Sequence, residues 1–283
     1  METITDSKEL QRISKKLSAD GKTIGFVPTM GFLHRGHLSL VKASSEKCDI
    51  TIVSIFVNPT QFAPDEDLES YPRDLERDKS LLEKENVDYL FYPSAHDIYP
   101  SGFQTFVNVA DITKQLEGEF RPTHFMGVTT IVNILFNSAL PDFAFFGQKD
   151  AQQAAVIKQM VKDLKMPVEI IVCPIVREPD GLAMSSRNVY LTPRERKDAL
   201  VLYKSLQLAK KLIDNGEKQS SEIIKKMLNL YNQIDSAALD YIKIVDAESF
   251  KIAVDLKKGM DYYILIACKI GKTRLIDNEL IHI

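Results

Sequence analysis

Cysteine is scarce in this chain. Its three cysteines, Cys48, Cys173 and Cys268, stand far apart in sequence. No CxxC pair occurs, so neither a zinc knuckle nor a dithiol redox motif is suggested. A sparse, odd count fits a reducing cytosol, and each thiol reads as a small buried hydrophobe. Excess charge is lacking as well. Thirty-six basic residues against 39 acidic ones leave a formal charge of −3, which gives no global pull toward nucleic acid or an anionic membrane. A local anion site stays open. No apolar stretch is long enough to cross a bilayer. The opening METITDSKELQRISKKLSADGK lacks the apolar core of a signal peptide. It reads as a capped amphipathic helix, with Leu10, Ile13 and Leu17 on one face. These absences predict a cytoplasmic protein without nucleic-acid or membrane partners. Fixed-period repeats and low-complexity tracts are missing too.

What is present is ordinary globular composition. The chain has 283 residues, 45% hydrophobic and 27% charged, enough for one large or two modest domains. Strand-like and helix-like segments alternate in its first part. TIGFVPT (23–29), ITIVSIFVN (50–58), VDYLFYP (87–93), DFAFFG (142–147) and VEIIVCPIV (168–176) read as strands. LSLVKASSEKC (38–48), LERDKSLLEKEN (75–86), MGVTTIVNILFNSA (126–139) and AQQAAVIKQMVKDL (151–164) read as helices. The apolar run of 50–58 is the pattern of a strand buried on both faces. The alternation predicts an α/β, doubly wound parallel sheet, Rossmann-like, over residues 1–176. Beyond REPDGLAMSSRN the pattern changes to two helices, 193–215 and 219–233, and three strands, 239–247, 260–270 and 272–280. That composition predicts a smaller α+β C-terminal domain over 177–283, a candidate lid.

PTMGFLHRGHLSL joins the first strand to a helix and places His34 and His37 three apart around Gly36. A single histidine at a helix start is more often a surface or capping residue than a catalyst. Two in an HxGH pattern directly after a strand are harder to dismiss. Residues three apart share a helix face, and at a helix N-terminus that face meets unpaired N–H groups and about half a positive charge. An anion is expected there, with Gly36 leaving the backbone open to it. The pattern resembles the HxGH motif of nucleotidyltransferases and class I aminoacyl-tRNA synthetases, which act at the α-phosphate of a nucleotide.

Three further stretches fall at strand ends or in the change of pattern. In FFGQKDAQQ, Asp150 and Gln153 have capping-box spacing, while Gly147 and Lys149 suit close approach and charge pairing of phosphate. MSSRN (184–188) offers two hydroxyls and a guanidinium. It resembles the KMSKS loop of the same superfamily, with Ala183 where that motif has lysine. In FVNPTQF, Asn58 and Gln61 are neutral amides, either turn chemistry around Pro59 or ligands for a small hydroxy-acid. Other patterns fail. IGKTR lacks the earlier glycine of a P-loop, which would fall at Ile266, and DEDLE (65–69) lacks the glycine of a calcium loop. Lys210–Lys211 and Lys225–Lys226 read as solvated faces.

Together PTMGFLHRGHLSL, FVNPTQF, YPRD (71–74), RPTHFMGV (121–128), FGQKDAQQ and MSSRN resemble the pantothenate synthetase family in order and spacing, and YIKIVDA and KTRLIDN resemble its smaller domain. The resemblance implies an ATP-dependent ligase joining (R)-pantoate to β-alanine through pantoyl adenylate, releasing AMP and pyrophosphate. It implies that His34, His37 and Lys149 are the catalytic group, with His37 a proton donor. Met30, Gly31, Phe32, Leu33, His34, Arg35, Gly36 and His37 would line the nucleotide site. Gly147, Gln148, Lys149 and Asp150 would join them, Gly147 and Asp150 at ribose and Lys149 on phosphate. Val176 would meet adenine through its main chain, and Met184, Ser185, Ser186 and Arg187 would close over the triphosphate. Gln61 and Gln153 would hold pantoate, with β-alanine also reaching Gln61. Magnesium is expected as the counter-ion of ATP, with no protein ligands assigned, and a homodimer is implied. A nucleotidyltransferase moving AMP or CMP to a phosphorylated acceptor is the rival reading, and a non-catalytic nucleotide sensor another.

Overall fold

The computed structural model describes residues 1–64 and 66–283; Asp65, the first residue of the acidic stretch DEDLE, lies outside the described residues. The chain divides into two compact units, 1–148 with 152–174, and 149–151 with 175–283.

The first unit runs β1 (Glu2–Ile4), α1 (Ser7–Ala19), β2 (Ile24–Thr29), α2 (Arg35–Lys47), β3 (Ile50–Ile55), α3 (Leu75–Lys84), β4 (Tyr89–Phe91), α4 (Ala95–Ile98), α5 (Glu117–Phe120), α6 (His124–Ala139), β5 (Phe143–Gly147), α7 (Ala151–Asp163) and β6 (Glu169–Cys173). The strands form one parallel sheet in the order β1-β4-β3-β2-β5-β6. Because side chains alternate across a strand, each strand feeds two cores. Phe26, Ile52, Phe91 and Phe146 pack on one face with Leu10 of α1, Ile131 of α6 and Ile157 of α7. Val27, Val53, Leu90 and Phe145 pack on the other with Val41 of α2 and Leu82 of α3. This two-sided burial is why the strands read as continuous apolar runs. The predicted doubly wound α/β sheet is present.

Two differences from expectation have local causes. The opening residues add β1, three residues long, before the helix that Asp6 caps, and so short a strand leaves no period to read. The strand predicted to reach residue 58 stops at Ile55, because Asn58 turns the chain into a single 3-10 turn, Pro59–Gln61.

The strand order reverses direction at β2, which lies between β3 and β5. In open α/β sheets ligands bind at such a switch point, beyond the carboxyl ends of the strands. The ends of β2 and β5 lead into Met30–His37 and Gln148.

The second unit holds α8 (Pro193–Asp198), α9 (Leu200–Asp214), α10 (Ser220–Tyr231) and an antiparallel sheet of β7 (Ala237–Asp246), β8 (Asp261–Ile270) and β9 (Thr273–His282). Leu206, Ile223 and Met227 pack on Ile244, Ile264 and Ile266 to form its core. The helix expected over 193–215 breaks at Ala199 into α8, closed by a Thr192–Glu195 capping box, and α9. The α+β composition predicted for this region is present.

Candidate active site

After β2 the backbone turns through the left-handed region twice, at Gly31 (φ 82°) and Phe32 (φ 50°). Glycine suits the first position doubly, since a Cβ there would lie 3.2 Å from Asp78 Oδ2. For Phe32 the conformation costs about 1–2 kcal/mol and needs outside support. Asp78 of α3 gives it: the carboxylate accepts the Phe32 N–H at 2.6 Å and the Leu33 N–H at 2.8 Å. The neighbouring Arg77 donates to the Leu33 carbonyl at 2.9 Å and stacks over the Phe32 ring. Asp78 is buried, and burial pushes its carboxyl above the usual range despite the two N–H groups and Arg77. A cleft of about 120 Å³ opens beside it, lined by Met30, Phe32, Phe56, Arg73 and Asp78.

The loop delivers His34 to the N-cap of α2. His34 Nδ1 accepts the Gly36 N–H at 3.1 Å, and His37 Nδ1 accepts the His34 N–H at 3.3 Å. The two imidazoles form a capping box with ring centroids 4.0 Å apart. An Nδ1 that accepts carries no proton, so each neutral ring holds its hydrogen on Nε2. The Gly36 N–H, expected to stay open for an anion, is taken by His34. The cap thus fixes a tautomer: two Nε2–H donors side by side at the positive end of a helix. Arg35, between them, is exposed.

Asn58 and Gln61 follow β3. Asn58 is 1% exposed, and its amide is fully engaged inside the protein. Nδ2 donates to Gln61 Oε1 (3.2 Å) and the Gly127 carbonyl (3.1 Å), while Oδ1 accepts from Thr60 Oγ1 (3.0 Å) and Tyr99 Oη (2.7 Å). Asn58, expected as a ligand residue, here spends its amide on the protein and orients Gln61 from behind. Gln61 Nε2 meets Met30 Sδ at 2.9 Å, joining the ends of β2 and β3.

The turn carrying Gln61 sits directly on α6. A Cβ at Gly127 would lie 2.5 Å from the Thr60 carbonyl oxygen and 2.7 Å from Gln61 Cα, so only glycine allows the contact. His124 Nδ1 donates to the Gln61 carbonyl at 3.0 Å, and Arg121 reaches the same oxygen at 3.3 Å. Arg121 is held in turn by Glu66 through a bidentate pair at 2.6 and 2.7 Å. Burial raises the Glu66 carboxyl, but Arg121 outweighs it and the net shift is downward.

At the end of β5, open space faces Gly147, where an added Cβ would meet nothing within 4 Å. Gln148 lies in the one-turn 3-10 helix that follows. Gln153, on the first turn of α7, is half-buried, and its side chain makes no hydrogen bond to a described residue.

In the second unit Lys149 Nζ lies 3.7 Å from Asp150. The Val176 carbonyl accepts from the Met184 N–H at 3.0 Å, closing a hairpin across the polar stretch 177–183. Ser185 accepts the Arg187 N–H and caps the 3-10 turn Ser186–Tyr190, with Ser186 buried.

This geometry has relatives. The family model described as Pantoate-beta-alanine ligase matches residues 2–280. The chain belongs to the pantoate–β-alanine ligase family. Curated relatives named pantothenate synthetase include one from Caldicellulosiruptor bescii, 55% identical over 98% of each chain, and one from Thermotoga neapolitana, 52% identical over 99% of this chain and 100% of its own. The crystal structure of pantothenate synthetase from Thermus thermophilus superposes with a TM-score of 0.92 at 42% identity, covering 99% of each chain. That of the ligase from Francisella tularensis, complexed with Beta-gamma ATP and β-alanine, gives a TM-score of 0.80 at 38% identity, covering 99% of this chain and 97% of its own. As a member of this family the chain is an ATP-binding ligase of pantothenate biosynthesis.

Several supports of this candidate site escape sequence reading. Asp78 reaches the loop from 45 residues away, and its signal was an acid on the apolar stripe of α3, between Leu75 and Leu82. Arg121, His124 and Gly127 stood in a quoted motif, RPTHFMGV, without a role. Their role is to seat the turn that carries Gln61.

Proposed function

We propose that this ligase works in two steps through an acyl adenylate. A pantoate carboxylate oxygen attacks the α-phosphorus of ATP, and the bond to pyrophosphate breaks. The β-alanine nitrogen then attacks the activated carbonyl carbon, AMP departs, and the amine gives up a proton. The observation that carries the reading is the paired imidazoles at the start of α2. Their Nδ1 atoms are held by backbone N–H groups, so both Nε2–H bonds can donate to phosphate oxygens as charge builds on them. Losing one donor of this kind costs about 100- to 1,000-fold in rate. His37 gives its hydrogen bond at the α-phosphate and His34 beside it.

Gln61 and Gln153 bind pantoate, and Asn58 fixes the Gln61 amide. Met30 through His37 and Gly147 through Asp150 bind ATP, with Lys149 on phosphate. Val176 meets adenine, its carbonyl engaged by Met184, so the N–H is the group offered. Met184 through Arg187 bind the triphosphate. Magnesium enters with ATP. Among the described residues no three histidine, cysteine, aspartate or glutamate side chains converge on a metal position, and no step here runs through the ion. No helix among the described residues is long and apolar enough to cross a membrane, and we place the enzyme in the cytoplasm.

The homodimer uses the extended segment 103–110. Val107 is held to α6 by Thr129 and Thr130, while the N–H and C=O groups of Phe106 and Asn108 have no partner among the described residues. A second copy, paired antiparallel about a two-fold axis, satisfies them on both chains.

Pyrophosphate–ATP exchange with (R)-pantoate present and β-alanine absent tests the adenylate. Pantoate-dependent exchange is the expected result. Its absence, with turnover intact once β-alanine is added, would replace two steps by a concerted reaction.

A further inference from the structure

KTRLIDN, residues 272–278, has no part in the reaction as set out above. Its last two residues stand out physically. Asp277 is 2% exposed and Asn278 1% exposed, side by side in β9. Consecutive strand residues face opposite sides of a sheet, so the pair serves two clients.

On one side Asp277 holds Arg177 through two bonds, 2.7 and 3.0 Å. Arg177 also donates to the carbonyls of Gly181 (3.1 Å) and Asn278 (3.2 Å), and it stacks 4.8 Å from the Tyr203 ring centroid. Arg177 directly follows Val176 and pairs across the hairpin with Ala183, next to Met184. On the other side Asn278 Nδ2 donates to the Lys149 carbonyl at 3.0 Å. Arg274, Ile276 and Leu280, which share that side of β9, are only half-buried. A buried amide without hydrogen bonds is costly, and packing alone would be met by leucine. The Lys149 carbonyl is a partner that leucine could not hold.

We propose that Asn278 is a positioning residue for nucleotide binding: it fixes the main chain at Lys149, while Asp277 fixes Arg177 beside the Val176–Met184 hairpin. Two segments far apart in sequence are thereby registered on one strand. The proposal rests on the reading that Lys149 carries phosphate, and its test separates the two.

Asn278→Ala, Lys149→Ala and the double variant are assayed by pyrophosphate exchange, with thermal midpoints measured alongside. Asn278→Ala is expected to raise KM for ATP about tenfold, the scale of one hydrogen bond's net contribution, and to leave KM for pantoate within about twofold. The double variant should be no worse than Lys149→Ala alone, which a merely structural residue would not produce. If alanine does not fold, Asn278→Leu keeps the branched shape without the donor and carries the same expectation. KM for ATP unchanged in Asn278→Ala but raised in Lys149→Ala overturns the proposal and leaves the phosphate reading standing. Parallel rises in both KM values, or additive losses in the double variant, also overturn it. An unchanged KM for ATP in Lys149→Ala removes the phosphate reading and the proposal with it.

Discussion

A neutral ring is the only form of His124 that both its neighbours accept. Arg121 can only donate, so Nε2, 3.3 Å from its guanidinium, must accept, and the hydrogen on Nδ1 goes to the Gln61 carbonyl. Burial, and next the Arg121 charge, depress the imidazole from 6.5 to about 4, with the Gln61 carbonyl opposing them. The sign follows from linkage. An unfolded chain takes up a proton near pH 6.5 that the folded chain refuses until about 4, so stability is full above 6.5 and falls as pH drops through that window. The loss over that span amounts to about 3 kcal/mol. His124→Asn keeps a donor for the Gln61 carbonyl but does not titrate. Urea unfolding from pH 7 to 4.5 should therefore show a shallower decline in the variant than in the wild type. Parallel declines would mean that His124 is protonated in the native state.

Elements were legible where burial writes a simple pattern. β2, β3 and β5 lie inside a parallel sheet with helices on both faces, so their sequences are mostly apolar on both sides, with Thr29, Thr51 and Ser54 as small buried exceptions. The helices carry caps and periodic faces. What stayed hidden depends on pairs of elements. Nothing local in LERDKSLLEK says that Asp78 will take two amides of a loop before α2, and nothing local in NPTQ says that Asn58 will face inward. His34, Gly36 and His37 were legible as a joint, but the capping box that sets their tautomer needed three dimensions. The seat of the Gln61 turn on α6 belongs to this scale. In Gly127→Ala the new methyl meets backbone, which cannot swing aside, so the turn must lift. The overpacking costs about 1–3 kcal/mol. A thermal midpoint several degrees lower is expected, together with a KM for pantoate raised more than that for ATP. A variant with unchanged KM for pantoate would disconnect this contact from Gln61.

At the scale of the whole molecule, the N–H and C=O groups of Phe106 and Asn108 have no partner among the described residues. Phe106, Asn108 and Ala110 are exposed in alternation with Val107, held by Thr129 and Thr130, and the buried Val109, as in a strand with one side covered. Phe106 is 50% exposed and stacks edge-on against Phe103, which packs on Tyr99. Such an edge invites another strand. Residues 103–110, FQTFVNVA, carry no charge, so an identical copy meets no repulsion. Tyr99 also donates to Asn58, which places the proposed interface two aromatic rings from the amide that orients Gln61. Phe106→Asp puts like charges face to face across the two-fold axis. If the proposed dimer holds for the wild type, sedimentation should show the variant as a monomer, and KM for pantoate should rise as Tyr99 and Asn58 lose their backing. A variant that stays dimeric would move the interface elsewhere. One that becomes monomeric with unchanged KM would keep the interface and uncouple it from the site.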